Sequence, residues 1–186
     1  MELKGERIIP ATVDATWAAL NDSEVLKGCI AGCESLERTG DDAFAALVAV
    51  KVGPVSARFK GQLKLSNVQA PNSYTINFDG QGGVAGFGKG SADVTLSPEG
   101  EGTRLKYVAK AQVGGKMAQV GSRLIDAAAA KVAEDFFKAF ELQLAPPAPA
   151  DTGQVPLPAD TPKGNRALWW GVAVLVIVLL WYWLSR

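Results

Sequence analysis

Two stretches of the chain alternate between apolar and charged positions with little interruption. From Val55 to Val68, Phe59, Gly61, Leu63 and Leu65 fall on one side, and Arg58, Lys60, Gln62 and Lys64 on the other. From Arg104 to Val113, Leu105, Tyr107, Ala109, Ala111 and Val113 oppose Arg104, Lys106, Lys110 and Gln112. A period of two marks strands of an antiparallel sheet with one covered face and one wet face. Further strand-like runs cover Met1–Pro10, Phe44–Val52, Tyr74–Phe78 and Gly88–Leu96. They are punctuated by Gly53-Pro54, Pro71-Asn72, Pro98-Glu99-Gly100 and Gly114-Gly115, all turn-forming combinations. The spacing changes at Val13–Leu20, where Val13, Trp17 and Leu20 share a helical face, and a second helical turn is predicted through Ser23–Leu26. It changes again at Lys116. Met117, Val120, Leu124, Ala128, Val132, Phe136 and Phe140 recur at three- and four-residue steps up to Leu144. Roughly 29 helical residues would be about 43 Å long. The predicted class is α+β: short helices, a curved antiparallel sheet, and one long C-terminal helix across its concave face.

The apolar positions of that face form a candidate site. Phe59, Leu63, Tyr74, Ile76 and Phe78 come from the sheet, as do Phe87 and Tyr107; Met117, Val120, Leu124 and Phe136 come from the helix. Many of their inward neighbours are small, namely Gly61, Gly88, Gly90, Ala92, Ala109, Ala111 and Ala128. Small and large residues so mixed leave space, which predicts an apolar ligand cavity rather than a solid core. Tyr74 or Tyr107 would then present a hydroxyl to a ligand carbonyl. The glycine-rich run Gly80–Gly90 lacks the GxxxxGK[ST] order of a phosphate loop and leads into a strand rather than a helix. Its glycines read instead as a bend or a mobile rim, with Val84 and Phe87 as gate or docking residues.

The end of the chain is of a different kind. Residues 167–184, ALWWGVAVLVIVLLWYWL, carry no charge, and 18 helical residues span about 27 Å, close to a bilayer's hydrocarbon thickness. Trp169 and Trp170 stand near one end, and Trp181, Tyr182 and Trp183 near the other, as membrane interfaces favour. Residues 145–166 hold six of the chain's ten prolines and read as a linker. It would reach at most about 68 Å in polyproline form and about 26 Å as a coil. The expected organisation is a domain over 1–144, a linker over 145–166 and a transmembrane helix over 167–184. MELKGERIIP contains no apolar signal core, and Lys163 and Arg166 precede the apolar segment while Arg186 alone follows it. Both point to a single-pass anchor in the inner (cytoplasmic) membrane with the domain on the cytoplasmic side.

Composition narrows the chemistry. The 186 residues include no histidine, which removes the usual general base and most zinc and iron sites. Nineteen basic and nineteen acidic residues cancel, so nothing favours nucleic acid. Cys29 and Cys33 read as reduced thiols beside a turn, since a bridge between them would close too small a loop to stabilise much. With no isolated inward acidic pair either, no catalytic residues and no metal are expected. Arg123 with Asp126, and Lys131 with Asp135, have the spacing of solvated helix ion pairs; Arg123 is also a candidate contact for a partner enzyme.

Four blocks carry a family resemblance: VLKGCIAGCESLERTGDDAF, KVGPVSARFKG, PNSYTINFDGQGGVAGFGKGSADVTL and QVGGKMAQVGSRLIDAAAAKVAEDFF. Together they resemble the CoxG family of carbon monoxide dehydrogenase accessory subunits, within the START-like (SRPBCC) helix-grip superfamily, over essentially all of residues 1–144. One departure is Ala31, where that pattern leads one to expect proline. The resemblance implies an accessory protein that recruits a cytoplasmic molybdenum hydroxylase of the carbon monoxide dehydrogenase type to the membrane. The parent fold implies a hydrophobic cavity between sheet and long helix and does not imply catalysis. Set beside the apolar tail, the cavity leads us to expect a lipophilic ligand, a respiratory quinone such as menaquinone or ubiquinone. The alternative is a pure docking protein with a filled core and no ligand.

Overall fold

A computed structural model describes residues 1–145. The linker and the transmembrane helix expected over 145–166 and 167–184 lie outside the described residues, apart from Ala145. Among the described residues no helix is long and apolar enough to cross a membrane.

Strand β1 (Glu2–Ile9) leads into helix α1 (Val13–Leu20) and helix α2 (Ser23–Cys29). Six further strands follow: β2 (Cys33–Gly40), β3 (Ala43–Val52), β4 (Val55–Gln69), β5 (Ser73–Gln81), β6 (Phe87–Glu99) and β7 (Gly102–Gly114). Helix α3 (Ser122–Leu144) closes the domain. All seven strands form one antiparallel sheet in the order β1-β7-β6-β5-β4-β3-β2. Consecutive hairpins run from β2 to β7, and β1 crosses over to pair with β7. Both short helices begin on side-chain caps. The Thr12 hydroxyl accepts from the Ala15 amide at 3.3 Å, and Asp22 Oδ1 accepts from Glu24 N at 2.8 Å and Val25 N at 3.3 Å.

The alternation read in β4 and β7 holds along their length, with the charged positions on the wet face. Three expectations need correction. Strand β2 is absent from the predicted set of strands. Its sequence, CESLERTG, buries only Leu36, because it is an edge strand with polar or charged residues on most positions. The long helix begins at Ser122, not Lys116. Gly115 and Gly121 have φ of +75° and +96°, left-handed conformations that break a helix, and Ala118–Val120 between them forms a 3₁₀ turn. Met117 and Val120 therefore mimic helical spacing without belonging to α3, whose 23 residues are about 34 Å long. Finally, the stripe expected on α3 holds only in part: Phe136 and Phe140 face the core and Phe137 joins them, whereas Leu124 and Val132 are each 51% exposed.

The core is concentrated at one end of the sheet. Ile9, Leu36, Phe44, Leu65, Tyr74, Val94, Leu96 and Leu105 pack there with Phe137 and Phe140. Four aromatic rings tie the helix to the sheet: Phe136 meets Phe137 edge-on and stacks with Phe140, and Phe137 stacks on Tyr107 with centroids 5.1 Å apart.

Candidate functional site

Towards the other end of the sheet the side chains shrink. Along β6 the inward positions read Gly88, Gly90, Ala92, Val94, Leu96, and their partners on β7 read Val113, Ala111, Ala109, Tyr107, Leu105. Helix α3 follows the same gradient, with four alanines at 127–130 in its first half and Phe136, Phe137 and Phe140 in its second. The sheet and helix cannot close over residues this small. A cavity of about 570 Å³ remains between them.

Its walls are almost entirely apolar. Val48, Val50 and Val52 of β3 face Ile125, Ala128, Ala129 and Val132 of α3, with Phe59, Phe78, Ala111 and Val113 between. Ile30, Ala31 and Gly32, the turn between α2 and β2, close one flank. Polar groups belong to the border: Lys51, Gln112, and Lys131 paired to Asp135 at 2.9 Å. That pair is largely exposed; hydrogen bonding to the Asp135 carboxylate and its charge raise the Lys131 ammonium pKa. The space thus offers a ligand dispersion contacts and exclusion from water, with hydrogen bonding confined to its border.

Several large rings keep their places by lying against glycine. A Cβ on Gly82 would stand 2.6 Å from Phe59 and one on Gly5 2.7 Å from the Tyr107 hydroxyl, while one on Gly90 would collide with the Lys110 carbonyl on β7 and stand 2.8 Å from the Phe78 ring. Without these glycines the rings would be displaced.

The rim is built by the loop between β5 and β6. Gly83–Ala85 makes a 3₁₀ turn, and Gly86, at φ +112°, comes so close to Gly114 and Gly115 that a side chain at Gly86 would collide with their backbone. The Met117 amide donates to the Ala85 carbonyl at 2.8 Å, and the Gly82 amide to the Gly86 carbonyl at 2.8 Å. Ala85 is buried and Val84 is 87% exposed. The amides of Gly82, Ala85 and Gly86 are taken up within the loop, consistent with a rim rather than a phosphate cradle.

The sequence-predicted residues divide into three groups. Phe59, Phe78, Phe87 and Met117 line the cavity. Leu63, Ile76, Tyr107 and Phe136 pack against the core at the filled end, and Tyr74 belongs to that core. Val120 and Leu124 stand off the cavity wall: Val120 belongs to the 3₁₀ turn before the helix, and Leu124 lies on the exposed side of α3, 3.8 Å from where a Cβ on Gly53 would be. Neither tyrosine serves as the expected polar tip. Tyr74 is 4% exposed against Trp17, and burial raises its phenol pKa; Tyr107 is stacked on Phe137 with its hydroxyl against Gly5. Among the helix pairs, Lys131–Asp135 forms, whereas no Arg123–Asp126 bridge is present among the described residues.

Sequence reasoning missed Val48, Val50 and Val52, since AFAALVAVKV is too uniformly apolar to reveal which face points inward. It also missed Ile125, Ala129 and the α2–β2 turn. Cys29 and Cys33 are free thiols beside that turn, and burial raises both pKa values, with Lys27 opposing the rise at Cys33. Among the described residues no group of three or more His, Cys, Asp or Glu side chains is placed to hold a metal ion.

Comparison with known proteins adds three findings. The family model for CoxG, a subunit of carbon monoxide dehydrogenase, matches residues 5–145. A conserved protein from Geobacillus kaustophilus, of known crystal structure, is 31% identical, with a TM-score of 0.73 over 78% of this chain and 95% of that one. At lower identity the fold alone is shared. A protein from Thermus thermophilus is 20% identical with a TM-score of 0.60, covering 77% of this chain and 97% of its own. A START superfamily protein from Mycobacterium smegmatis is 15% identical with a TM-score of 0.58, covering 77% and 96%. No curated protein matches the sequence significantly.

Proposed function

The chain belongs to the CoxG family of carbon monoxide dehydrogenase subunits, and on that premise we propose that it is a membrane-held accessory protein carrying a lipophilic ligand for its partner enzyme. The partner is a cytoplasmic molybdenum hydroxylase of the carbon monoxide dehydrogenase type. The ligand is a respiratory quinone, menaquinone or ubiquinone, and residues 167–184 are the anchor. The protein itself performs no catalysis.

The observation that carries this reading is the apolar cavity of about 570 Å³. That volume lies within the range of small-molecule sites, roughly 300–1,000 Å³. An oxidative hydroxylase must dispose of electrons, and a quinone that accepts them is nearly insoluble in water. A cavity with apolar walls and a half-polar border fits a molecule with a long apolar chain and two carbonyls at one end. The open space also weighs against the alternative of a filled docking domain.

The full chain purified from its native membrane should yield quinone on organic extraction and mass spectrometry, and the emptied protein should take up added quinone saturably. Ala111→Phe, which places a ring in the cavity, should abolish uptake while the protein still fractionates with membranes. Absence of bound quinone together with absence of saturable uptake would overturn the reading.

A further inference from the structure

The mouth of the cavity is an exposed apolar surface at one end of the domain. Three connections meet there: the β3–β4 turn, the β5–β6 loop and the β7–α3 link. The contact between Leu124 and the Gly53 position joins the first to the start of α3, and the Met117–Ala85 hydrogen bond joins the other two. This end carries Val84, Leu124 and Phe87, which are 87%, 51% and 38% exposed. Large apolar groups so exposed and so close together mark an interaction surface. The cations Lys51, Lys116 and Arg123 accompany them and take part in no salt bridge among the described residues. Asp126 is the one nearby carboxylate on α3 outside the Lys131–Asp135 pair.

We propose that this end of the domain docks on an anionic lipid bilayer, mouth down, with Val84 and Leu124 entering the interface and Lys51, Lys116 and Arg123 meeting the headgroups. Apolar side chains ringed by lysine and arginine are the pattern of reversible interfacial binding. The reach of the chain agrees. Helix α3 begins at the mouth and ends about 34 Å away, so residue 145 leaves from the far end. A connection of a few residues would hold the mouth away from any membrane holding residues 167–184. The 22 residues of 145–166 reach up to about 68 Å, enough to run back along the domain and let the mouth touch the surface.

The inference rests on the membrane-anchor reading for this geometry, but its test removes the anchor. The described domain stands alone as a fold, since the Geobacillus and Thermus structures are covered over 95% and 97% of their own length by it. Residues 1–145 should float with phosphatidylglycerol-containing vesicles and far less with pure phosphatidylcholine, and raised salt should weaken binding. The double substitution Val84→Asp, Leu124→Asp should weaken vesicle binding at least about tenfold. Lys116→Glu with Arg123→Glu should erase the preference for phosphatidylglycerol. All four positions are exposed, so melting temperatures should hold. The fluorescence of Val84→Trp should shift to the blue on vesicles and be quenched by brominated lipid. Binding that is absent, or indifferent to these substitutions, would overturn the proposal. So would variants that keep vesicle binding but lose binding of the partner enzyme. Quinone uptake from detergent micelles is a separate arm: its failure with vesicle binding intact would remove the ligand reading and leave the docking face standing.

Discussion

The two ends of this domain are made from the same sheet and the same helix, yet one is solid and the other hollow. At the filled end, β6 and β7 present Val94, Leu96, Tyr107 and Leu105, and α3 lays Phe136, Phe137 and Phe140 across them. At the hollow end the same strands present Gly88, Gly90, Ala109 and Ala111, and the helix presents Ala128 and Ala129. Backbone geometry is nearly continuous between the two; side-chain volume is what changes. Stability and ligand space are therefore separated along the strand axis, and the first can be strong without the second being small.

That separation can be broken most severely at Phe140, which is fully buried and stacked on Phe136. Phe140→Ala should cost about 3–5 kcal/mol in denaturant unfolding. A comparably large substitution at the hollow end should cost much less, and equal costs would refute the division. Next comes Gly90, which lies under the Phe78 ring at the border between the ends. Gly90→Val should cost about 3 kcal/mol, because its Cβ would meet the Lys110 carbonyl on β7 as well as the Phe78 ring, so the β6–β7 pairing must shift along with the cavity wall.

A smaller effect of opposite sign is expected at Thr16. Its Oγ1 is the buried side-chain polar atom without a hydrogen-bond partner among the described residues. Thr16→Val keeps the shape and removes the stranded hydroxyl, so it should stabilise by about 1 kcal/mol; a loss of stability would show that the hydroxyl is satisfied by water. The smallest effect concerns Glu99, at the turn joining β6 to β7, where the hydrogen bond and charge of Arg104 lower the carboxyl pKa. A lowered folded-state pKa gives stability present above the ordinary carboxylate range and lost as pH falls through it. Glu99→Gln should lower the melting temperature slightly at neutral pH and converge with the parent chain in acid, so that its profile of melting temperature against pH is flatter.

How much of this is legible in the sequence depends on whether burial leaves a period there. Strands β4 and β7 are readable because each has one wet face, so charge marks the outward positions. Strand β2 is not, because an edge strand that buries only Leu36 has no inward stripe to detect. Strand β3 is visible as a strand but not as a cavity wall, since both its faces are apolar. The mistaken helix start has another cause. Met117 and Val120 are spaced as a helix requires, and only the backbone at Gly115 and Gly121 shows that they belong to a turn. The presence of space is inferable from small inward residues; its position along the strands needs the register, which sets Phe78 against Gly90 and Ile76 against Ala92.

The close backbone seam between Gly86 and the pair Gly114 and Gly115 has a consequence for how such a protein can diversify. A side chain at Gly86 or Gly115 would collide with the backbone opposite, and one at Gly114 with the Phe87 ring, so none of the three positions accepts one without moving the rim. Directly beside it, Val84 projects into open solvent. Mutational tolerance at the mouth is therefore sharply graded over two residues: a fixed hinge next to a freely variable tip. A library built at Val84 alone could retune what the mouth touches while leaving the lining behind it intact.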